Sequence, residues 1–192
     1  MPTVFIRLTG CPLRCSYCDT EHAFQGGEWS SIEAIMTRAK SYPTRHVTVT
    51  GGEPLAQKAC HALLAALCDA GFDVSLETSG ALDIGGVDRR VARIVDLKTP
   101  ASGEAMRNHW PNLLLLGPRD EVKFVIADEA DYHWARSVLL ERRVNERCPV
   151  LFSPVWDGVA PADLAEWILR DGLPVRMQVQ LHKILWQEAK GR

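Results

Sequence analysis

No stretch of this sequence stays apolar for the roughly 20 residues that a membrane-spanning helix needs. The start, MPTVFIRLTG, has no basic region leading into a long apolar one, so no signal peptide is expected. Charge of one sign is also missing: the net charge is -2, which gives no reason to expect a nucleic acid partner. There is no internal repeat, low-complexity tract or long charge run, and hence no linker. These absences leave a single domain over residues 1–192, since two full domains would be cramped in 192 residues. The expected compartment is a reducing cytoplasm, where the six cysteines read as metal ligands and buried thiols rather than disulfides.

What is present is an alternation of strand-like and helix-like segments. Thr3–Leu8, His46–Thr50, Asp73–Glu77, Ile94–Leu97, Glu121–Ile126, Val150–Ser153 and Val175–Leu181 are short and rich in β-branched or apolar residues. A capping-box pair, Ser30 and Glu33, predicts a helix that fades at Tyr42-Pro43. Further helices are predicted over Leu55–Ala70, Glu129–Val144 and Ala162–Arg170, the last with Pro161 at its start and Gly172 past its end. Strand followed by helix, repeated, predicts an α/β domain with a mainly parallel sheet of six or seven strands, either open or an incomplete barrel. Ligands in such folds sit at the C-terminal ends of the strands. The chemically suggestive residues cluster there: the cysteine loop, Gly51-Gly52-Glu53-Pro54, Glu77-Thr78-Ser79-Gly80, Lys98-Thr99-Pro100 and Ser153-Pro154.

The cysteine loop reads CPLRCSYCDT, with Cys11, Cys15 and Cys18 spaced C-x3-C-x2-C. Three thiolates on one loop suit a zinc site completed by His22, or an iron–sulfur cluster with one iron left free of protein. Gly51-Gly52-Glu53 is either a strand-ending turn or bare backbone beside a carboxylate, suited to gripping an ammonium group. Cys60, Cys68 and Cys148 read as small buried hydrophobes, and Trp134, Trp167 and Trp186 as helix-packing residues.

Taken together, the cysteine spacing with Tyr17 before the last cysteine, and the Gly-Gly-Glu motif after the next strand, resemble the radical S-adenosylmethionine (SAM) superfamily. That resemblance implies a partial (βα)6 barrel. Val4–Cys11, Cys18-Asp19-Thr20, Thr50–Pro54, Glu77–Gly80, Asp96–Pro100 and Gln180-Leu181-His182-Lys183 resemble, more narrowly, the 7-carboxy-7-deazaguanine synthase family. The family contracts the ring of 6-carboxy-5,6,7,8-tetrahydropterin to 7-carboxy-7-deazaguanine with loss of ammonia, using a 4Fe-4S cluster, SAM and Mg2+. Carried over, the resemblance implies Cys11, Cys15 and Cys18 for the cluster and Thr20 for Mg2+. It implies Tyr17, Cys18, Asp19, Gly52, Glu77, Lys98 and Ser153 for SAM, and Arg7, Thr50 and His182 for the pterin. A homodimer and a flavodoxin electron donor are further family expectations. Two departures stand out: the family's strand with a Gln-Gly-Glu stretch ahead of TVFIR is missing, and the chain ends in Lys190-Gly191-Arg192 rather than proline. The rival expectations are a glycyl-radical activating enzyme, which acts on a protein, and a zinc-stabilised binding module.

Overall fold

The computed structural model describes residues 1–186, except the side chain of His182. The expectation for Lys190-Gly191-Arg192 therefore lies outside the described residues. Seven strands form one sheet in chain order, each parallel to the next: β1 (Val4–Leu8), β2 (His46–Gly51), β3 (Asp73–Thr78), β4 (Ala92–Leu97), β5 (Glu121–Ile126), β6 (Val150–Pro154) and β7 (Arg176–Met177). Among the described residues β1 and β7 are edges, so the sheet is an α/β partial barrel rather than a closed one.

Five α-helices accompany it among the described residues: α1 (Ile32–Lys40), α2 (Ala59–Asp69), α3 (Glu129–Glu141), α4 (Pro161–Asp171) and α5 (Leu181–Trp186). The β3–β4 and β4–β5 crossovers carry no α-helix, which departs from a strict (βα)6 repeat. Loop residues do the covering instead. Ile84, Val87, Leu113 and Leu116 are buried there, and the side chain of Asn112 ties the two loops by accepting from Ile84 N (3.2 Å) and donating to Leu82 O (2.8 Å).

Strand alternation sorts the side chains into two faces. Val47, Val49, Leu76, Val95, Phe124 and Phe152 turn outward into the hydrophobic core beneath the helices, where Leu63, Leu64 and Leu67 of α2 meet them. Each such side chain fully buried contributes roughly 1.5–3 kcal/mol. Most of the intervening residues, among them Thr48, Thr50, Ser75, Glu77, Asp96, Lys123 and Ser153, are polar and face the inside of the curve, beside apolar Ile94, Val125 and Leu151. Small closed barrels fill that space with branched apolar side chains. A polar interior marks a chamber instead.

Several element boundaries differ from expectation for local reasons. Helix α1 is capped by Ser31, not Ser30: the Ser31 side chain accepts from Ala34 N, so no carboxylate stands at the third helical position. Helix α2 begins at Ala59, because Pro54–Ala56 forms a separate 3-10 turn. Helix α3 stops at Glu141 as Arg143 turns left-handed at φ +52°. The last strand is only two residues long, and Gln180 O then accepts from Lys183 N and Ile184 N to open α5. Cys60 and Cys148 are buried as expected, whereas Cys68 is half-buried. Trp134 packs on Phe124 and Trp110, and Trp167 on Tyr132, but Trp186 is 47% exposed. Among the described residues no helix is long and apolar enough to cross a membrane.

Candidate active site

The cysteine loop leaves β1 through Gly10, which takes φ +91°, and lies over the C-terminal mouth of the sheet. Its own chemistry closes it. Leu13 is buried beneath it, and the Arg14 guanidinium donates to Cys11 O (2.8 Å) and Leu13 O (2.7 Å) while stacking over Phe24. The segment after β4 forms its far wall: Ser16 N donates to Ser102 O (3.0 Å), Ser16 Oγ to Ala101 O (2.6 Å) and Arg14 N to Glu104 Oε1 (2.6 Å). That wall is held from behind by Asp131 of α3, a buried carboxylate that accepts from Thr99 Oγ1 (2.8 Å) and Ala101 N (2.9 Å). Tyr17 OH reaches Thr99 Oγ1 at 3.1 Å. A chain of hydrogen bonds thus runs from α3 to the residue before Cys18.

Cys11, Cys15 and Cys18 are free thiols, all half-buried. His22 is exposed on a 3-10 turn, Glu21–Ala23. Among the described residues no three His, Cys, Asp or Glu side chains converge on a point that one metal ion could occupy. Three thiols on one loop are a donor set that fits an iron–sulfur centre with one iron left free of protein ligands.

The Gly-Gly-Glu turn has a different task from gripping an ammonium group through its carboxylate. Glu53 is fully buried and already saturated: it accepts from Leu55 N (3.0 Å), Ser79 N (2.7 Å), Ser79 Oγ and Thr78 Oγ1, which lies 2.9 Å from both carboxylate oxygens. The carboxylate fastens the loop after β2 to the loop after β3. Backbone fastens the same turn to the cysteine loop, with Glu53 N donating to Gly10 O (2.7 Å) and Gly52 N to Leu8 O (3.1 Å). Glycine is required at both positions. A Cβ on Gly51 would sit 1.9 Å from Leu8 O, and one on Gly52 would sit 2.5 Å from Gly10 O.

Inside the chamber, Thr50 Oγ1 donates to Glu77 Oε2 (3.1 Å), and Arg7 lies in register with Thr50 on the exposed edge strand β1. Lys98 Nζ pairs with Asp96 Oδ2 at 2.9 Å. Burial works to lower the Lys98 pKa, yet the Asp96 carboxylate and the Cys15 thiol hold the ammonium above its ordinary range. Burial pushes the Cys15 and Cys18 thiols up; Lys98 opposes this at Cys15 and a backbone N–H from Thr20 opposes it at Cys18. Ser153 lies on β6 in register with Val125. Beside the mouth, Asp19 accepts from Thr20 Oγ1 (2.7 Å) and from Gln180 Nε2 (3.2 Å), which ties the cysteine loop to the start of α5. His182 lies on α5, with its side chain outside the described residues.

The sequence reading missed Asp131, Asn108 and Lys123. Asn108 clamps Lys98 on both sides, accepting from its N–H (2.8 Å) and donating to its carbonyl (2.9 Å). Only the alternation of Val122, Lys123 and Phe124 could have signalled Lys123; Asp131 and Asn108 lie on elements whose approach to the site is tertiary. A cavity of about 370 Å³ opens at the opposite, N-terminal end of the strands, lined in part by Met1, His46, Asp73 and Arg119. In barrels of this kind that end serves stability rather than chemistry.

Residues 5–165 match the family model described as the radical SAM superfamily. The fold agrees: the chain superposes on Streptococcus suis SuiB, solved with S-adenosylmethionine bound, at TM-score 0.65 over 93% of this chain and 46% of that one. At 13% identity that likeness speaks for the fold alone. The chain belongs to the radical SAM superfamily, and with it come a 4Fe-4S cluster and SAM as cofactors. Within the superfamily it belongs to the 7-carboxy-7-deazaguanine synthase family. It is 45% identical to the 7-carboxy-7-deazaguanine synthase of Chlorobaculum tepidum, covering 99% of this chain and 88% of that protein. It is 41% identical to that of Koribacter versatilis, covering 100% and 92%.

Proposed function

We propose that the chain converts 6-carboxy-5,6,7,8-tetrahydropterin to 7-carboxy-7-deazaguanine by ring contraction with loss of ammonia, as a carbon–nitrogen lyase of 7-deazapurine biosynthesis. The observation that carries this reading is the polar chamber holding Arg7, Thr50 and Glu77 beneath a three-cysteine loop, in a chain 45% identical to a synthase of that name. When bound, the cluster and SAM supply one-electron hydrogen-transfer chemistry. The chain's own residues bind, orient and exclude water.

Cys11, Cys15 and Cys18 would hold the cluster as thiolates, three ligands leaving one iron for SAM. Tyr17, Cys18, Asp19, Gly52, Glu77, Lys98 and Ser153 would line SAM, with the bare backbone at Gly52 giving close approach. Arg7 and Thr50 would contact the pterin, Arg7 as the charge partner of its carboxylate. His182 would close the substrate side. Thr20 would place its hydroxyl oxygen on Mg2+, a hard cation that takes oxygen ligands. Its Oγ1 now donates its only proton to Asp19, which leaves the lone pairs for the metal. The proposed setting is one domain over 1–192, a cytoplasmic homodimer, and a flavodoxin donor.

Anaerobic reconstitution followed by iron and sulfide analysis, then turnover of the carboxypterin with and without Mg2+, tests the reading. Acid-labile sulfide and Mg2+-stimulated product are expected. A colourless protein with one zinc and no sulfide would sink it. Thr20→Ala is expected to weaken Mg2+ stimulation while leaving the cluster's absorption unchanged, and loss of the cluster would show that Thr20 serves the loop instead.

A further inference from the structure

We propose that Lys123 is a further ligand-binding residue of this chamber, its ammonium taking a carboxylate of the bound molecules. The proposal rests on the function proposed above and adds a residue to its site. Strand β5 places Val122, Phe124 and Ile126 in the core, each fully buried, so Lys123 projects from the opposite face into the chamber. It stands in the middle of the sheet, in register with Asp96 on β4 and Leu151 on β6. There it is half-buried, and among the described residues it makes no ion pair of 4 Å or less.

The carboxylates nearby do not account for it. Asp96 Oδ2 is taken by Lys98, Glu77 accepts from Thr50, and Glu121, two residues back on the same strand face, pairs with Arg176. The other oxygen of Asp96, Oδ1, is buried with no partner, yet Lys123 does not bond to it. Its ammonium is not among the buried polar atoms left without a partner, so it stands open to the chamber, where a ligand's carboxylate can pair with it. Arg7, also without an ion pair among the described residues, stands across the chamber on the exposed edge. The interior therefore presents two cations free for carboxylates. The pterin carries one carboxylate and the methionine end of SAM carries another, so the shared chemistry is a carboxylate and the experiment separates its source.

The bland alternative is a lysine whose ammonium reaches solvent through the chamber mouth. Lys123→Met keeps the apolar stem and removes the charge, and Lys123→Arg restores it. Both are made in the full chain with its cluster reconstituted. Equilibrium binding of SAM and of 6-carboxypterin is measured without reductant, and kcat and KM are measured separately under turnover. Lys123→Met is expected to weaken one of the two ligands by about 10- to 100-fold, the loss of one charge-assisted contact, with Lys123→Arg recovering most of it. Weakening confined to the carboxypterin assigns the pterin carboxylate, and weakening confined to SAM assigns the methionine carboxylate. Unchanged affinity for both overturns the proposal. Were the unsubstituted chain to bind SAM but no carboxypterin, the functional reading would fall, while the SAM measurement would still decide for or against Lys123.

Discussion

Glu53→Ala is expected to destabilise the folded chain by about 3–5 kcal/mol, read as a lower denaturant midpoint of the reconstituted protein. The substitution strands two backbone N–H groups, Leu55 N and Ser79 N, in a site where Glu53 itself has 0% exposure. The hydroxyls of Thr78 and Ser79 can re-aim, but the backbone donors cannot. Glu53→Gln is the milder test. One carboxylate oxygen becomes an NH2 group facing donors, so a smaller loss of about 1–3 kcal/mol is expected. The comparison separates two accounts of the Gly-Gly-Glu motif. If the carboxylate gripped the SAM ammonium, Glu53→Gln would weaken SAM binding and leave the unfolding midpoint in place. As a fastener between the loops after β2 and β3, it lowers the midpoint even without SAM. A midpoint unchanged by Glu53→Ala would refute the fastener.

Gly52→Ala is expected to abolish cluster loading rather than trim activity. The added methyl would lie 2.5 Å from Gly10 O and 2.9 Å from Cys11 Cβ, both parts of the loop that carries the thiols. Neither neighbour is the far end of a flexible side chain. Gly10 is pinned by Glu53 N and by its own bond to Ala23 O (2.8 Å), and the chain enters the loop directly from β1. Overpacking costs about 1–3 kcal/mol where neighbours can yield; here the yielding element is the cysteine loop, which must move Cys11 away from Cys15 and Cys18. Iron and sulfide per chain after reconstitution are the measurement. Gly117→Ala is the control, since its Cβ would meet nothing closer than 4.0 Å. Full loading of the Gly52 variant would show that the loop adapts without it.

The strands were legible because their pattern is local: β-branched runs ended by glycine or proline predicted six of the seven to within two residues at either end. The seventh was overdrawn because Val175–Leu181 is apolar enough for a strand, while its last residue opens α5. The Ser30–Glu33 capping box failed by one position, since Ser31 offers the same hydroxyl and caps the helix by accepting from Ala34 N. Within the site, the cysteine spacing and the glycine pair could be read directly, because both are properties of a single short loop. Glu53 could not. A carboxylate after Gly-Gly suits a ligand as well as it suits Thr78 and Ser79, and those lie 25 and 26 residues further on. Asp131 was equally silent in sequence, an ordinary acid in the first turn of a helix until α3 brings it under Thr99.

The sequence by itself determined the parallel α/β alternation, the thiol set and the resemblance that names the family, because each depends on residue order within a few positions. Tertiary structure decided that Glu53 is spent on the protein itself, that Asp131 braces the wall beside the cysteine loop, and that Lys123 makes no ion pair among the described residues inside the sheet. The physical reason is the same in each case. Whether a polar group is free for a ligand depends on which partners reach it, and those partners are set by strand register and loop packing between distant segments of the chain.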